Sequence, residues 1–367
     1  MVSLQEIDPD LIWLFADYTL LRESPLVAML QQLFPQAGLI GCSTAGEITT
    51  RGVVEGSAVI TALAFDHVKQ RLAVASVADA AASMSAGMAI GQQLKDRELR
   101  AICLFGPGVA INGSAIIAGL VAEVGQAIPI AGGLAGDGGR FVETLTVTPS
   151  GVDPRAVIAV GLYGESLRFT QGSFGGWLPF GPIRKVTHCQ GNIIYSLDGE
   201  PALDIYRRYL GEHASQLPAT GLLFPFEMLD ANHDQVGLIR TILGIDEEHG
   251  SLIMAGDIDP NGYLRLMHAN LETLVDGAEE AARRVYTSNT VGNLVDKPGL
   301  AILVSCVGRK LVMGDQIDEE IESVLDVLPT NTIVTGFYSY GEIAPFGTLQ
   351  QCKLHNQTMT ILLIQEE

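Results

Sequence analysis

Two periodicities run along this chain, and they alternate. Apolar runs rich in Val, Ile, Leu and Phe predict strands at 11–17, 39–40, 57–65, 68–75, 101–105, 156–163, 193–195, 300–304, 332–335 and 358–364. The stretch 141–148 alternates in strand fashion. Strands at 238–243, 251–255 and 263–267, separated by Asp- and Gly-rich turns, read as an antiparallel meander. Helical spacing predicts helices from Ser24-Pro25 onward, over 83–95 with Met84, Met88 and Leu94 inward, over 114–126, over 200–210 ended by Gly211, and over 271–285. The clearest helix is 315–328, where Ile317, Ile321, Val324, Leu325 and Leu328 form one stripe and acidic residues favour the N-terminal end. The uncharged run from Ala101 to Ala122 is long enough to span a membrane. Pro107, Asn112, Ser114 and four glycines break it, so it reads as a buried strand, a turn and a buried helix.

One device recurs three times. An apolar strand empties into a glycine-rich stretch bearing a carboxylate: Gly41-Cys-Ser-Thr-Ala-Gly-Glu47, Gly132-Gly-Leu-Ala-Gly-Asp137 and Gly336-Phe-Tyr-Ser-Tyr-Gly-Glu342. The third runs on to Gly347. A strand and a helix precede each stretch, and a further apolar strand closes it. The expected fold class is therefore α/β, with repeated β-α-β-loop-β units forming mixed sheets covered by helices. In this repeat Glu47, Asp137 and Glu342 take equivalent places.

Charge and cysteines narrow the function. The 367 residues carry a net charge of −20 with only 22 Lys plus Arg, and no basic cluster traces a phosphate backbone. Nucleic acid and anionic membrane are excluded as partners on that ground. Five widely spaced cysteines, without Cys-x-x-Cys, argue against disulfides and structural zinc and for a reducing, cytoplasmic setting. The first residues lack the basic flank and apolar core of a signal peptide.

The first and third signatures, with Cys352-Lys-Leu-His-Asn-Gln-Thr-Met-Thr360 and the junction around Trp177-Leu-Pro-Phe-Gly-Pro182 and Leu197-Asp-Gly-Glu-Pro-Ala202, resemble the FIST (F-box and intracellular signal transduction) family. The resemblance covers nearly the whole chain. It implies two closely associated halves, a FIST N-terminal domain over 1–198 and a FIST C-terminal domain over 199–367. It implies a sensory protein that binds a small ligand, amino acid-like or haem with nitric oxide. A separate partner, a histidine kinase or a cyclic-di-GMP enzyme, would carry the output.

Enzyme motifs are absent. Both signatures miss the Gly-x-Ser-x-Gly spacing, and no phosphate loop, dinucleotide fingerprint or His-Glu-x-x-His occurs, so the reading is not an enzyme. A hydrolase or transferase using the loop carboxylates, and a ligand-free interaction scaffold, are the alternatives. Ser43, Thr44, Glu47, Tyr338, Tyr340, Glu342 and His355 are the candidate ligand-binding residues, because the signatures bring hydroxyls, carboxylates and aromatic rings to strand ends. Arg240 joins them. A guanidinium inside the apolar run 236–243 needs a partner, and Glu342 or a ligand carboxylate would serve. For haem, His188 is the first axial candidate, beside Cys189 and downstream of Phe174, Trp177 and Phe180.

Overall fold

The computed structural model describes residues 7–287, 299–346 and 351–367. Gly347, the end of the third signature, and the first six residues lie outside the described ones. The chain opens with β1 (Leu11–Asp17), the short helices α1 (Tyr18–Glu23) and α2 (Leu26–Leu33), and β2 (Gly38–Thr44), parallel to β1. Asp17 starts α1 by accepting the N–H groups of Thr19 and Leu20. A hairpin of β3 (Glu47–Thr49) and β4 (Gly52–Val54) follows, then β5 (Ala58–Leu63), antiparallel to β1.

The second copy runs β6 (Lys69–Ser76), α3 (Ser83–Leu94), β7 (Leu99–Gly106), α4 (Gly113–Val124), β8 (Ile130–Leu134), the hairpin β9 (Thr146–Thr148) and β10 (Gly151–Asp153), and β11 (Ala156–Tyr163). The third opens with β12 (Leu167–Phe174) and then makes a long excursion. That excursion is β13 (Leu178–Gln190), β14 (Ile193–Leu197), β15 (Glu200–Pro201), α5 (Ala202–Leu210), β16 (Phe226–Leu229), β17 (Gln235–Arg240), β18 (Ile242–Asp246), β19 (Ser251–Met254) and β20 (Tyr263–His268). The chain returns through α6 (Leu271–Thr287), β21 (Gly299–Cys306), α7 (Val307–Met313), α8 (Asp318–Leu325), β22 (Thr332–Ser339), the hairpin β23 (Gly341–Phe346) and β24 (Gln351–His355), and β25 (Met359–Glu366).

The copies trade hairpins in a ring. Their sheets run β10-β9-β2-β1-β5, β24-β23-β8-β7-β11-β6, and β12-β25-β21-β22-β3-β4. Each holds a parallel pair flanked by its own closing strand on one side. On the other side sits a hairpin from another copy: β3–β4 of the first joins the third, β23–β24 of the third joins the second, and β9–β10 of the second joins the first. The register is the same at residue level. Gly41, Gly132 and Gly336 face Leu14, Leu104 and Leu303 across the parallel pairs, and Val147, Ile343 and Ile48 across the donated hairpins. A Cβ on any of the three glycines would fall on the carbonyl oxygen of its leucine. This approach is why the signatures open on glycine.

The inner faces of the three sheets meet in one core. Phe15 stacks on Phe337 at 4.6 Å, and Trp13 meets Phe105 edge-on at 5.6 Å. Helices cover the outer faces: α1 and α2 on the first sheet, α3 and α4 on the second, α6 and α8 on the third. The excursion forms a sheet in the order β17-β16-β20-β13-β14-β19-β18. Its two end strands are separated only by Thr241, so the path starts and ends on one stretch and curls around its own core of Tyr206, Phe226 and Leu252. Among the described residues no helix is long and apolar enough to cross a membrane.

Several expectations change in detail. The signatures are strands with a sharp corner rather than loops: β22 ends at Ser339 and β23 begins at Gly341. Most of 141–148 is irregular, and only Thr146–Thr148 is strand. By register the counterpart of Glu47 and Glu342 is Thr146, opposite Cys42, and not Asp137. Met84 is exposed; α3 instead turns Ala86, Gly87, Ile90 and Gly91 inward, because Gly87 lies against the Ile116 carbonyl of α4. The strands read as a meander are interleaved with β13, β14 and β16.

Candidate functional site

Each exchange corner carries a carboxylate clasp in the first and third copies. Glu47 Oε1 accepts the Thr44 hydroxyl at 2.5 Å, and Oε2 accepts the Ser57 hydroxyl and N–H at 2.9 and 3.3 Å. Glu342 Oε1 accepts the Ser339 hydroxyl at 2.6 Å, and Oε2 accepts the Thr358 hydroxyl and N–H at 3.0 and 3.2 Å. A hydroxyl three residues back and the residue that opens the closing strand hold each acid. The second copy has Ala135 and Thr146 instead, and the Thr146 hydroxyl is buried without a partner. Burial raises both acids against the pull of these bonds, Glu342 to about 8.

The other signature side chains serve separate networks. Ser43 Oγ donates to the Gly136 carbonyl at 2.6 Å and accepts the Leu145 N–H at 2.8 Å. Tyr338 donates to Glu320 at 2.6 Å, within a fully buried network where Arg309 Nε meets the same carboxylate at 2.7 Å and Ser305 at 3.1 Å. Tyr340 donates to Asp137, and its ring stacks on Phe141 at 4.0 Å. Burial opposes ionisation of Asp137, but that hydroxyl and the N–H groups of Val142, Glu143 and Phe141 hold its carboxyl below the usual range. The two tyrosines therefore do not line one wall. Arg309 and Glu320 escaped the sequence reading, since α7 was not expected and Glu320 sits in an acidic first turn that reads as solvated.

Arg240 and His355 come together at the seam between the excursion and β24. Arg240 is 4% exposed at the end of β17. Its Nε donates to the Asp257 carbonyl, and its Nη1 to the Ile239 and Leu354 carbonyls, all at 3.1 Å. The pairing with Glu342 expected from the sequence does not form, because the clasp already holds that carboxylate. Among the described residues no Asp or Glu oxygen lies within 4.0 Å of the guanidinium. The Asp257 carboxylate is farther off, bonded to Asn112 Nδ2 at 3.1 Å, and its charge still favours the guanidinium. Burial lowers Arg240 only to about 10, so it stays charged at neutral pH.

Two polar groups face the same seam. A Cβ on Gly256 would lie 3.0 Å from Arg240 Nε and 3.3 Å from Ser114 Oγ, and that hydroxyl, in the first turn of α4, is buried without a partner. His355 sits opposite Glu342 in the β23–β24 pair, with Nε2 3.3 Å from the Ala344 carbonyl. Burial and the nearby Arg240 charge lower it to about 4, so it is neutral. Next to it, Gln357 Nε2 donates to Leu222 O at 2.8 Å and Thr241 Oγ1 at 3.1 Å, while Gln357 Oε1 and Asn356 Oδ1 are buried and unbonded. All eight candidate ligand residues are buried: Ser43, Thr44, Glu47, Arg240, Tyr338, Tyr340, Glu342 and His355.

His188 does not fit a haem. It is exposed and stacks on Tyr195 at 4.6 Å. Phe180 lies eight residues back on the same strand, roughly 26 Å if extended, and meets His268. Trp177 donates to the Gln357 carbonyl at 2.9 Å, and Phe174 lies under Arg284. The three rings thus have three different settings, none beside His188. Among the described residues no cluster of three His, Cys, Asp or Glu could hold a metal.

The sequence profile of the FIST N domain matches residues 10–200, and that of the FIST C domain matches residues 202–345. An uncharacterized protein of Methanocaldococcus jannaschii is 24% identical over 358 residues, covering 85% of this chain and 65% of that protein, so the chain spans under two thirds of the relative's length. Among solved structures, the cyanuric acid hydrolase from A. caulinodans aligns over 100% of this chain and 93% of its own, at 8% identity and a TM-score of 0.38. That likeness is too loose to bear on function.

Proposed function

The chain belongs to the FIST family of signal-transduction sensory domains, and on that premise we propose that it senses a small carboxylate-bearing ligand of the amino-acid type, seated against Arg240. The observation that carries this reading is the guanidinium itself. It is buried, charged and, among the described residues, bonded only to carbonyl oxygens. Carbonyls supply dipoles, and the Asp257 carboxylate acts only from a distance, so the buried cation lacks a counter-charge in contact with it, which is costly. A ligand carboxylate would supply it bidentately. Ser114 offers an unspent hydroxyl beside it, and the positive end of α4 favours the same charge. Neutral His355 adds a group that can donate or accept.

The seam also suggests how occupancy leaves the site. Arg240 binds Asp257 in the excursion and Leu354 in β24, so drawing its bonds toward a ligand shifts one body against the other. The output then passes to a separate signalling protein, which the family resemblance casts as a histidine kinase or a cyclic-di-GMP enzyme.

A thermal-shift panel tests the reading. L-glutamate, L-aspartate, glycine and succinate are each compared with the corresponding amide. At least one carboxylate should raise the wild-type Tm while its amide does not, and Arg240→Gln should abolish the shift. Equal shifts from amides, or shifts that survive in the variant, would reject it.

A further inference from the structure

Sheet for sheet, the first copy is one strand short. The second and third copies have six-stranded sheets, whereas the first has five and ends at β5. The register locates the gap. Ile60, Ala159 and Ile361 face Leu14, Leu104 and Leu303 respectively in β5, β11 and β25. On their other side Ala159 faces Ala73 of β6, and Ile361 faces Gly172 of β12, both antiparallel. Among the described residues no strand pairs with the outer side of β5. Among the described residues the first sheet also has no helix to match α3 or α6.

The edge is open and unguarded. Asp17 N–H bonds to the Ser57 carbonyl, which marks a hydrogen-bonded pair. By alternation the backbone groups of Ala58, Ile60 and Ala62 point away from β1. All six residues of β5 are partly exposed, and none is charged or proline. Natural edge strands are usually blunted by Lys, Pro or a bulge. Strand β6, the outermost of the second sheet, carries exposed Lys69 and Arg71.

Charge says what kind of strand belongs there. Exposed Glu55 and Asp66 bracket β5 in a chain of net charge −20; Lys310 pairs with Glu55, so Asp66 and the net charge carry the preference. The two strands that fill the equivalent places, Lys69-Gln-Arg-Leu-Ala-Val-Ala-Ser76 and Leu167-Arg-Phe-Thr-Gln-Gly-Ser-Phe174, carry basic residues and no acidic ones. A second copy of this chain would instead bring its own Glu55 and Asp66 to the edge.

We propose that the outer edge of β5 is a docking site for an extended segment of another protein, added as an antiparallel strand. The segment carries alternating apolar side chains, at least one Lys or Arg, and no acidic residue. Main-chain hydrogen bonds provide the attachment, and the inward side chains provide the selection. This surface is separate from Arg240 and stands whichever ligand fills that site.

The test uses the full chain and a capped peptide of sequence KQRLAVAS, that of the strand covering the equivalent edge of the second copy. Amide exchange is followed at Ala58, Ile60 and Ala62. In the free protein these amides should exchange rapidly. Peptide at millimolar concentration should slow them by more than tenfold. The same peptide N-methylated at alternate edge-facing amides should fail, as should one with both basic residues changed to Glu. Three results would overturn the proposal: slow exchange already in the free protein, no protection by the peptide, or equal protection by the N-methylated form. Slow exchange with a mass of twice 39.1 kDa would show that a second copy covers the edge. Slow exchange in a monomer would show that the chain itself covers the edge.

Discussion

Glu342 and Glu47 are one carboxylate built twice. Each sits just past an exchange corner, opposite the residue after a signature glycine: Glu47 faces Phe337, and Glu342 faces Gly133. Each takes one hydroxyl from its corner and a hydroxyl and N–H from the head of the closing strand. The clasp therefore locks a donated hairpin to the strand that returns to the donor's own sheet.

The first prediction follows from the Glu342 proton. Its carboxyl rises from an ordinary value of 4.5 to about 8 on burial. A raised acid stabilises the folded state fully below about pH 4.5, and that contribution is lost as pH rises through about 8. The full span is worth about 5 kcal/mol. Denaturant unfolding at pH 5, 7 and 9 should show wild type losing stability with rising pH. Glu342→Gln should flatten that slope. An unchanged slope would show that Glu342 is ionised in the folded protein.

His355 has the opposite sign. It falls from 6.5 to about 4, through burial first and Arg240 second. Stability from the neutral ring is present above pH 6.5 and lost as pH falls through about 4, about 3 kcal/mol in all. His355→Gln should flatten the acid limb between pH 6.5 and 4 and leave the alkaline limb alone. A variant with the wild-type acid limb would remove His355 as its cause.

Arg309 and Glu320 are both fully buried and hold each other. Arg309→Met should cost about 3–5 kcal/mol, because Glu320 is then left charged without its partner. Adding Glu320→Leu should recover part of that loss, since Tyr338 and Ser305 then lose only hydrogen-bond acceptors. A double variant as unstable as the sum of the singles would contradict this coupling.

The ring of exchanged hairpins makes three glycines interchangeable in role. Gly41→Ala, Gly132→Ala and Gly336→Ala should each be severely destabilising, by about 3 kcal/mol or more, because each new methyl meets a leucine carbonyl in a paired strand. Unfolding midpoints should drop together. One tolerant position would break the equivalence.

Much of this was readable in the sequence. The strands Leu11–Asp17 and Ala156–Tyr163 coincide with their apolar runs, and the three signature glycines hold the same register. Local pattern reaches that far because a buried strand must be apolar and a close approach must be glycine. It could not show where a hairpin goes after its corner, since pairing of β3 with β22 spans most of the chain. It misread Asp137, because the second copy carries extra residues between β8 and β9 and the repeat spacing slips there. It picked Arg240 from one charge in an apolar run. Its three carbonyl partners, drawn from β17, Leu354 and Asp257, come together only in the folded chain.

The most direct test of the ligand reading is titration calorimetry with whichever carboxylate gives the largest thermal shift, run on wild type and on Arg240→Gln with circular dichroism confirming the fold. Wild type should bind with a defined stoichiometry of one, and the variant should bind at least 100-fold more weakly, about 3 kcal/mol. Affinity within twofold of wild type in a folded Arg240→Gln protein would contradict the account.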